Sequence, residues 1–194
     1  MPELKNAPVI FASMQQAANG ARNHGDGGPA YRALPHNIEA EQALLGTLLI
    51  NNDVFHQVSG FLSEKHFFDP AHSKIFATAA GLIGRSLLAS PVSLKNYFEK
   101  DETLAPLGGV QYLARLAAAA TSIINAEFYG RTIHDLAVRR SLITLGEDLF
   151  NRAFDAPADV SAAAQIEEAE AHLYNIAERG RYDELQKLNR MAEK

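Results

Sequence analysis

The residues with the clearest potential for chemistry are two histidines and an aspartate near the middle of the chain. His66, Asp69 and His72 lie three residues apart, and imidazole with carboxylate is a donor set that zinc accepts. Asp69, however, precedes Pro70. That dipeptide is a strong helix start, because the carboxylate accepts hydrogen bonds from free backbone amides and proline needs no amide at the first helical position. We therefore interpret the trio as a helix cap and predict no metal there.

A second candidate is the pair His134-Asp135 in a strongly helical stretch. Such a pair resembles the signature of the metal-dependent HD phosphohydrolases, which need further His and Asp ligands from other helices. Here His134 falls beside the apolar side of its helix and Asp135 points away from it, so the two are not expected to converge on one ion. A metal-dependent phosphohydrolase stays the enzyme alternative.

The sequence contains no motif that indicates phosphate binding or covalent catalysis. The sequence has no Gly-x-x-x-x-Gly-Lys-Ser/Thr loop, and the glycine-rich segment 25–29 follows no predicted strand. The absence of cysteine excludes a disulfide framework, a thiolate zinc site and a cysteine nucleophile. No serine–histidine or paired-carboxylate arrangement can be argued from the spacing. We therefore predict no catalytic, cofactor-binding or metal-binding residue.

The composition fits one ordinary globular domain with appendages. Of the 194 residues 47% are hydrophobic, and 18 Lys and Arg against 23 Asp and Glu give a net charge of −5. Nucleic-acid surfaces usually show a basic footprint, so direct DNA contact is not expected. No apolar run approaches the ~18 residues of a membrane span, and the N-terminus does not resemble a secretory signal. The expected location is the cytoplasm, without a membrane partner.

The elements that would position any site are helices, and the predicted fold class is all-α. Residues 1–34 contain glycine and proline without periodicity, so we predict that they are disordered. From Pro35 onward the apolar residues recur at helical spacing. Capping residues predict helix starts at Asn37, Asp69 and Ser90.

A long helix is predicted at about 126–154, with Asn125 as its cap. It follows a helix at 110–120 across a short loop, which is typical of an antiparallel hairpin. A last helix is predicted from about Asp159 to Arg179, closed by Gly180. Its apolar residues are spaced 4, 3, 4, 3, which suits packing along one partner helix, and packing within the chain is favoured.

Five segments in chain order carry a family signature. They are Pro35-His-Asn-Ile-Glu-Ala-Glu-Gln-Ala-Leu-Leu-Gly-Thr-Leu-Leu-Ile50, Phe67-Phe68-Asp-Pro-Ala-His-Ser-Lys-Ile-Phe76, Gly108-Gly-Val-Gln-Tyr-Leu-Ala114, Ile124-Asn-Ala-Glu-Phe-Tyr-Gly-Arg131 and Glu167 to Glu178. Together they resemble the N-terminal region of bacterial DnaB-type replicative DNA helicases, over about residues 35–183.

The resemblance implies a helicase N-terminal domain at residues 35–156, divided into a helical head at about 35–107 and a helical hairpin at about 108–156. Residues 157–194 would then form a linker helix and a tail. In that family the hairpins pair between subunits and build a collar on a hexameric ring, where primase docks. ATP and Mg belong to the family's RecA-like C-terminal domain, so no cofactor is expected in this chain.

The function implied is protein–protein contact in the primosome, without ATPase or unwinding activity from this chain alone. The implied partners are a second copy in a dimer or hexameric collar, primase, a helicase loader and full-length helicase. Because the family continues into an ATPase domain, the sequence is expected to be a fragment or truncated product. The alternative is a stand-alone adaptor that pairs with full-length helicase and regulates its ring.

Partner contacts are predicted on the long helix at 126–154. Apolar residues left over from the core would meet a neighbouring hairpin or primase, and arginines would form a polar rim. The plainer alternatives are that the apolar residues belong to the core of the hairpin and that the arginines lie on a face exposed to solvent. The candidates are Arg131, Arg139, Arg140, Leu142, Ile143, Leu149 and Phe150, with Arg152 as a further rim residue.

Overall fold

Every regular element that the structure describes is a helix, which confirms the all-α prediction. The computed structural model describes residues 33–99, 102–120, 125–157 and 160–192, with side chains as far as Ala177. The α-helices in these ranges are α1 (Ile38–Ile50), α2 (Asp53–Val58), α3 (Pro70–Ile83), α4 (Pro91–Phe98), α5 (Gln111–Ala118), α6 (Ala126–Phe154) and α7 (Ala162–Ala192). Two 3₁₀ turns, Glu64–His66 and Glu102–Leu107, join them. None of these helices is long and apolar enough to cross a bilayer.

The predicted helix starts are confirmed at three caps. Asn37, Asp69 and Ser90 each accept a hydrogen bond from a backbone amide two or three residues further on, at 2.9, 2.7 and 3.3 Å. Asn125 also stands at a helix start, but its side chain makes no capping hydrogen bond. Short-range sequence signals therefore place α1, α3 and α4, whose first amides need an acceptor.

The core of the head forms around α1, which packs against α3, α5 and α6. Its leucines Leu44, Leu45 and Leu48 are fully buried. At Gly46 the backbone of α5 comes so close that an added Cβ would lie 2.2 Å from the carbonyl oxygen of Leu116. The missing side chain at this position is what lets α5 settle against α1.

The hairpin differs from the prediction in its second arm. The helix expected at 110–120 is the eight-residue α5, which packs mainly against α1 instead of running along α6. The antiparallel partner of α6 is α7: Arg152 near the end of α6 forms an ion pair with Glu168 near the start of α7. The physical reason is that α5 buries its apolar face under α1 and is too short to cover a 29-residue helix.

The last helix is longer than predicted. It starts at Ala162 and continues through Gly180 to Ala192. A glycine inside a helix costs only about 1 kcal/mol, which is too little to end a helix whose following residues favour helix formation. The disorder predicted for residues 1–34 lies almost wholly outside the described residues, and the proposed division of the chain at 34 and 156 stays a prediction.

Candidate interaction surface

The His66, Asp69 and His72 side chains serve three separate structural roles. His66 Nδ1 accepts a hydrogen bond from the backbone amide of Ser63 at 3.1 Å, Asp69 caps α3, and His72 is fully buried in the head. The cap interpretation of Asp69 is thus confirmed. Within the part of the chain that the structure describes, no group of three His, Asp or Glu residues could hold a metal ion.

A buried carboxylate that the sequence reasoning missed organises this region. Glu41 is 2% exposed, and its two oxygens accept hydrogen bonds from the backbone amides of Phe68 at 2.6 Å and Asp69 at 3.3 Å. The same carboxylate lies 2.7 Å from His72 Nδ1. A buried carboxylate is stable only when hydrogen-bond donors surround it. Here the Glu41 carboxylate on α1 holds the turn that precedes α3 through these amide hydrogen bonds.

A further hydrogen bond joins His72 to the hydroxyl of Tyr112 on α5. His72 Nε2 lies 2.6 Å from the hydroxyl oxygen of Tyr112, and Gln42 donates to that oxygen at 3.0 Å. When Nδ1–H of His72 donates to Glu41, Nε2 accepts the Tyr112 proton and every group is satisfied. Burial raises the pKa of Tyr112, against the opposing effect of the Gln42 hydrogen bond.

One sequence signal could have revealed this network. Glu41 lies four residues before Leu45 and seven before Leu48, and therefore on the apolar face of α1. A charged residue on an apolar face calls for a buried partner, but the sequence does not say that His72 and Tyr112 provide it.

The His134-Asp135 pair does not form a metal site. His134 packs edge-on against the rings of Phe61 and His66, with centroids 6.2 and 4.8 Å away. Asp135 accepts a hydrogen bond from Arg139 at 2.8 Å on the outside of α6. The two side chains therefore point in different directions, and the phosphohydrolase alternative gains no support from the described residues.

Arg140 lies within the fold and does not stand in an open rim. Its guanidinium donates to the carbonyl oxygens of Pro35 at 2.7 Å and His66 at 2.6 Å and lies 5.6 Å from the centroid of the Phe68 ring. Burial lowers the pKa of Arg140, and the Glu41 carboxylate opposes that shift. Arg140 therefore joins α6 to two turns of the head, and its predicted contact with a partner stays a prediction.

The other two arginine candidates are partly exposed. Arg131 forms an ion pair with Glu127 at 2.8 Å and lies 4.8 Å from the centroid of the Phe61 ring. Arg139 pairs with Asp135 along the same helix. Such exposed pairs contribute little stability, so both guanidinium groups can exchange partners at low cost.

Three of the four apolar candidates on α6 are exposed to different degrees. Ile143 is 38% exposed, Leu142 45% and Phe150 64%, whereas Leu149 is half-buried and lies near α7. The structure adds Phe154, which is 65% exposed and packs on Phe150 with ring centroids 4.8 Å apart. This concentration of exposed apolar side chains on one helix makes α6 the candidate interaction surface.

The arm α7 adds a second set of exposed apolar residues. Ile166, Leu173 and Tyr174 are exposed, while Ala169 and Ile176 are half-buried and lie on the side near α6. The predicted packing within the chain is therefore only partial. A groove of about 920 Å³ lies between the hairpin and the segment at 59–66 of the head and is lined by residues of both arms.

Comparison with known proteins decides the family. A sequence profile described as "DnaB-like helicase N terminal domain" matches residues 33–135, more than half of the chain. The chain belongs to the DnaB-like helicase N-terminal domain family. This confirms the resemblance that the five sequence segments carry.

Curated relatives of the DnaB family extend well beyond the matched region. "Replicative DNA helicase DnaB" of Rickettsia conorii is 41% identical over 152 residues, which are 78% of this chain and 31% of the relative. The protein of the same name from Treponema pallidum is 32% identical, over 73% of this chain and 32% of the relative. The chain thus spans about 30% of the length of these relatives.

Solved structures support the same fold. The N-terminal domain of DnaB helicase from Mycobacterium tuberculosis matches with a TM-score of 0.67 and 25% identity, over 74% of this chain and 99% of that one. A DnaB-like replicative helicase, whose structure was described with its interactions with primase, matches with a TM-score of 0.55 and 25% identity. That match covers 70% of this chain and 31% of the helicase.

Proposed function

We propose that this chain acts as the collar domain of a replicative DNA helicase, and that it works in the cytoplasm through self-association and contact with primase. The observation that carries the proposal is the exposed apolar surface of the α6–α7 hairpin, which includes Ile143, Phe150 and Leu173. A DnaB-like relative whose structure was described with its interactions with primase supports the choice of primase.

Burial of this apolar surface against a partner would favour assembly. Complete burial of one large apolar side chain stabilises by about 1.5–3 kcal/mol. Monomeric proteins seldom leave large contiguous apolar patches in water, and the head of this chain buries most of its leucines, with Leu87 and Leu88 as exposed exceptions. The exposed hairpin residues are therefore better explained by a partner than by the stability of a lone chain.

Further partners follow from the same proposal. Full-length helicase would contribute hairpins of the same kind, and a helicase loader would meet the assembled ring. ATP and Mg are assigned to other parts of such a helicase, because no phosphate loop occurs in this sequence. The net charge of −5 supports protein partners over direct DNA contact.

The test replaces Ile143 with glutamate. Ile143→Glu is expected to weaken self-association at least tenfold, because a charge on a buried interface must be desolvated, while the thermal melt monitored by circular dichroism keeps its cooperative shape. Light scattering across protein concentration measures assembly, and titration calorimetry measures primase binding.

Val92→Glu is the matched control, since Val92 is an exposed apolar residue of α4 in the head. This variant should assemble as the unmodified chain does. A chain that stays monomeric at high micromolar concentration and does not bind primase would contradict the proposed function.

A further inference from the structure

The groove between the hairpin and the head has the size of a small-molecule site. Its volume is about 920 Å³, near the upper end of the roughly 300–1,000 Å³ that ligand clefts occupy. Three parts of the chain line it, which are the segment at 59–66, α6 and α7. Apolar side chains such as Phe61, Val138 and Ile176 form part of its wall. A molecule in this groove would therefore contact the head and both arms of the hairpin.

The ionisable side chains that line the groove are mostly basic. They include one lysine, one arginine and three of the seven histidines of the chain, but one carboxylate. The chain as a whole has the opposite balance, with a net charge of −5. A concave surface that concentrates one sign of charge attracts ligands of the other sign, so this lining favours an anion. The residues are Lys65, His66, His134, Arg140 and His172, with Asp148 as the carboxylate.

The basic residues gather at the end of the groove near the head. Arg140 donates to the carbonyl oxygen of His66 at 2.6 Å, and the His134 ring lies 4.8 Å from the His66 ring. Asp148 lies at the other end, where His172 of α7 is its neighbour in the wall. Eight residues of helix separate Arg140 from Asp148, which is about 12 Å along the axis. That span is comparable to an extended nucleotide, from its phosphates to the outer edge of its base.

The groove has hydrogen-bond donors to offer along this span. Lys65 forms no ion pair or hydrogen bond with any residue that the structure describes, and neither do the side chains of Thr144 and Asn175. Arg140 donates to two backbone carbonyls, and a guanidinium carries five N–H groups. Ammonium and guanidinium donors are the groups that bind phosphate in proteins. Phosphate is therefore the anion that suits the head end.

We propose that this groove binds a guanine nucleotide, with its phosphates at Lys65 and Arg140 and its base at Asp148. A carboxylate accepts two hydrogen bonds side by side, and guanine presents two adjacent N–H donors on one edge. Binding involves no covalent step, so the groove is an effector site that joins the head to both arms. This inference goes beyond the proposed function and does not depend on self-association.

The first test is a calorimetric titration of the full chain with GTP in magnesium-free buffer. We expect saturable binding with a dissociation constant below about 1 mM. Lys65→Glu should weaken this binding roughly tenfold or more, because an attractive charge becomes a repulsive one. Lys95→Glu is the matched control: it changes the net charge equally on exposed α4, outside the groove, and should leave the affinity unchanged.

A second titration, with pyrophosphate, separates the two ends of the groove. Pyrophosphate should bind several-fold more weakly than GTP, since it lacks the base, but it should be equally sensitive to Lys65→Glu. Asp148→Asn should weaken GTP several-fold and leave pyrophosphate unaffected, because it removes one acceptor at the base end alone. Bound GTP should also raise the midpoint of thermal unfolding of the unmodified chain, since it favours the folded state.

Three results would overturn the proposal. The first is no saturable GTP binding, and the second is equal GTP affinity in the unmodified chain and Lys65→Glu. The third is pyrophosphate binding as tight as that of GTP, which would leave a phosphate site without a nucleotide. The thermal melts of Lys65→Glu and Asp148→Asn without ligand should match that of the unmodified chain, so a loss of binding is not a loss of folding.

Discussion

At the scale of single residues, the head depends on one buried carboxylate. Glu41 accepts hydrogen bonds from two backbone amides and lies within hydrogen-bond distance of His72, whose other ring nitrogen contacts the Tyr112 hydroxyl. These groups come from α1, α3 and α5, so each hydrogen bond also fixes a helix contact. A buried polar group without a hydrogen-bond partner costs more free energy than a formed hydrogen bond contributes. Removal of one member of this network therefore destabilises the fold by leaving its neighbours without partners.

The first prediction concerns the hydroxyl of this network. Tyr112→Phe keeps the ring but leaves His72 Nε2 and the Gln42 amide without their partner, and we expect a loss of about 1–3 kcal/mol in unfolding free energy. Tyr97→Phe removes the hydroxyl of an exposed tyrosine and should change stability by less than about 0.5 kcal/mol. Urea unfolding of the two variants measures both; equal values would contradict a structural role for the Tyr112 hydroxyl.

The second prediction concerns alkaline pH. Burial raises the pKa of Tyr112 above the ordinary value of 10.0, so above that pH the unfolded chain loses this proton before the folded chain does. The stabilisation is fully present below pH 10 and is lost as pH rises through the folded-state pKa. Unfolding free energies from pH 8 to 11 should fall more steeply for the unmodified chain than for Tyr112→Phe. If the unfolding free energies of the two proteins fell equally with pH, the raised pKa of Tyr112 would be contradicted.

At the scale of elements, the close contact of α1 and α5 sets the architecture of the head. Gly46 brings the two backbones together, so that α5 packs against α1 and does not extend the hairpin. The long arm α6 then stays open to α7. One residue without a side chain thereby influences which helices become neighbours.

The third prediction tests this contact. Gly46→Ala would place a Cβ 2.2 Å from the Leu116 carbonyl oxygen, and we expect a destabilisation of about 1–3 kcal/mol from overpacking. Gly81→Ala is the matched control within α3, because nothing lies within 4 Å of its added Cβ. That control should be neutral or stabilise by up to about 1 kcal/mol. Thermal melts followed by circular dichroism measure the stability of both variants. A stabilising effect of Gly46→Ala would contradict the close approach of α1 and α5.

At the scale of the whole molecule, apolar burial is unevenly distributed. The head holds most of the buried leucines, although its Leu87 and Leu88 are exposed, whereas α6 and α7 expose residues such as Ile143, Phe150 and Leu173. A two-helix hairpin has no third element to cover its outer faces. Its stability is therefore expected to depend on assembly, because binding that favours the folded state stabilises it by mass action.

The fourth prediction follows from this linkage. The midpoint of thermal unfolding should rise with protein concentration for the unmodified chain, because dimers dissociate as they unfold. Ile143→Glu should remove most of this concentration dependence without changing the midpoint measured at the lowest concentration. Melts over a hundredfold range of concentration provide the measurement. A midpoint that does not vary with concentration would contradict assembly through the hairpin.

The sequence alone determined the fold class, the starts of α1, α3 and α4, the range of α6 and the family. Caps such as Asn37 and Asp69 act within one helical turn, and apolar spacing reports which face is buried, so both can be identified without the tertiary structure. For the same reason α6 was predicted over 126–154, the range that the structure shows. The exposed candidates Leu142, Ile143 and Phe150 were also identified from periodicity, and their role in partner contact stays a prediction.

Only the tertiary structure decided which helices are neighbours and which polar groups meet. Glu41 lies 31 residues from His72 and Arg140 lies 105 residues from Pro35, and no local pattern encodes such distances. The second arm of the hairpin was predicted wrongly for a related reason: helix pairing depends on how closely backbones can approach, as at Gly46. Local signals fix where a helix begins and ends, while packing geometry fixes what it touches.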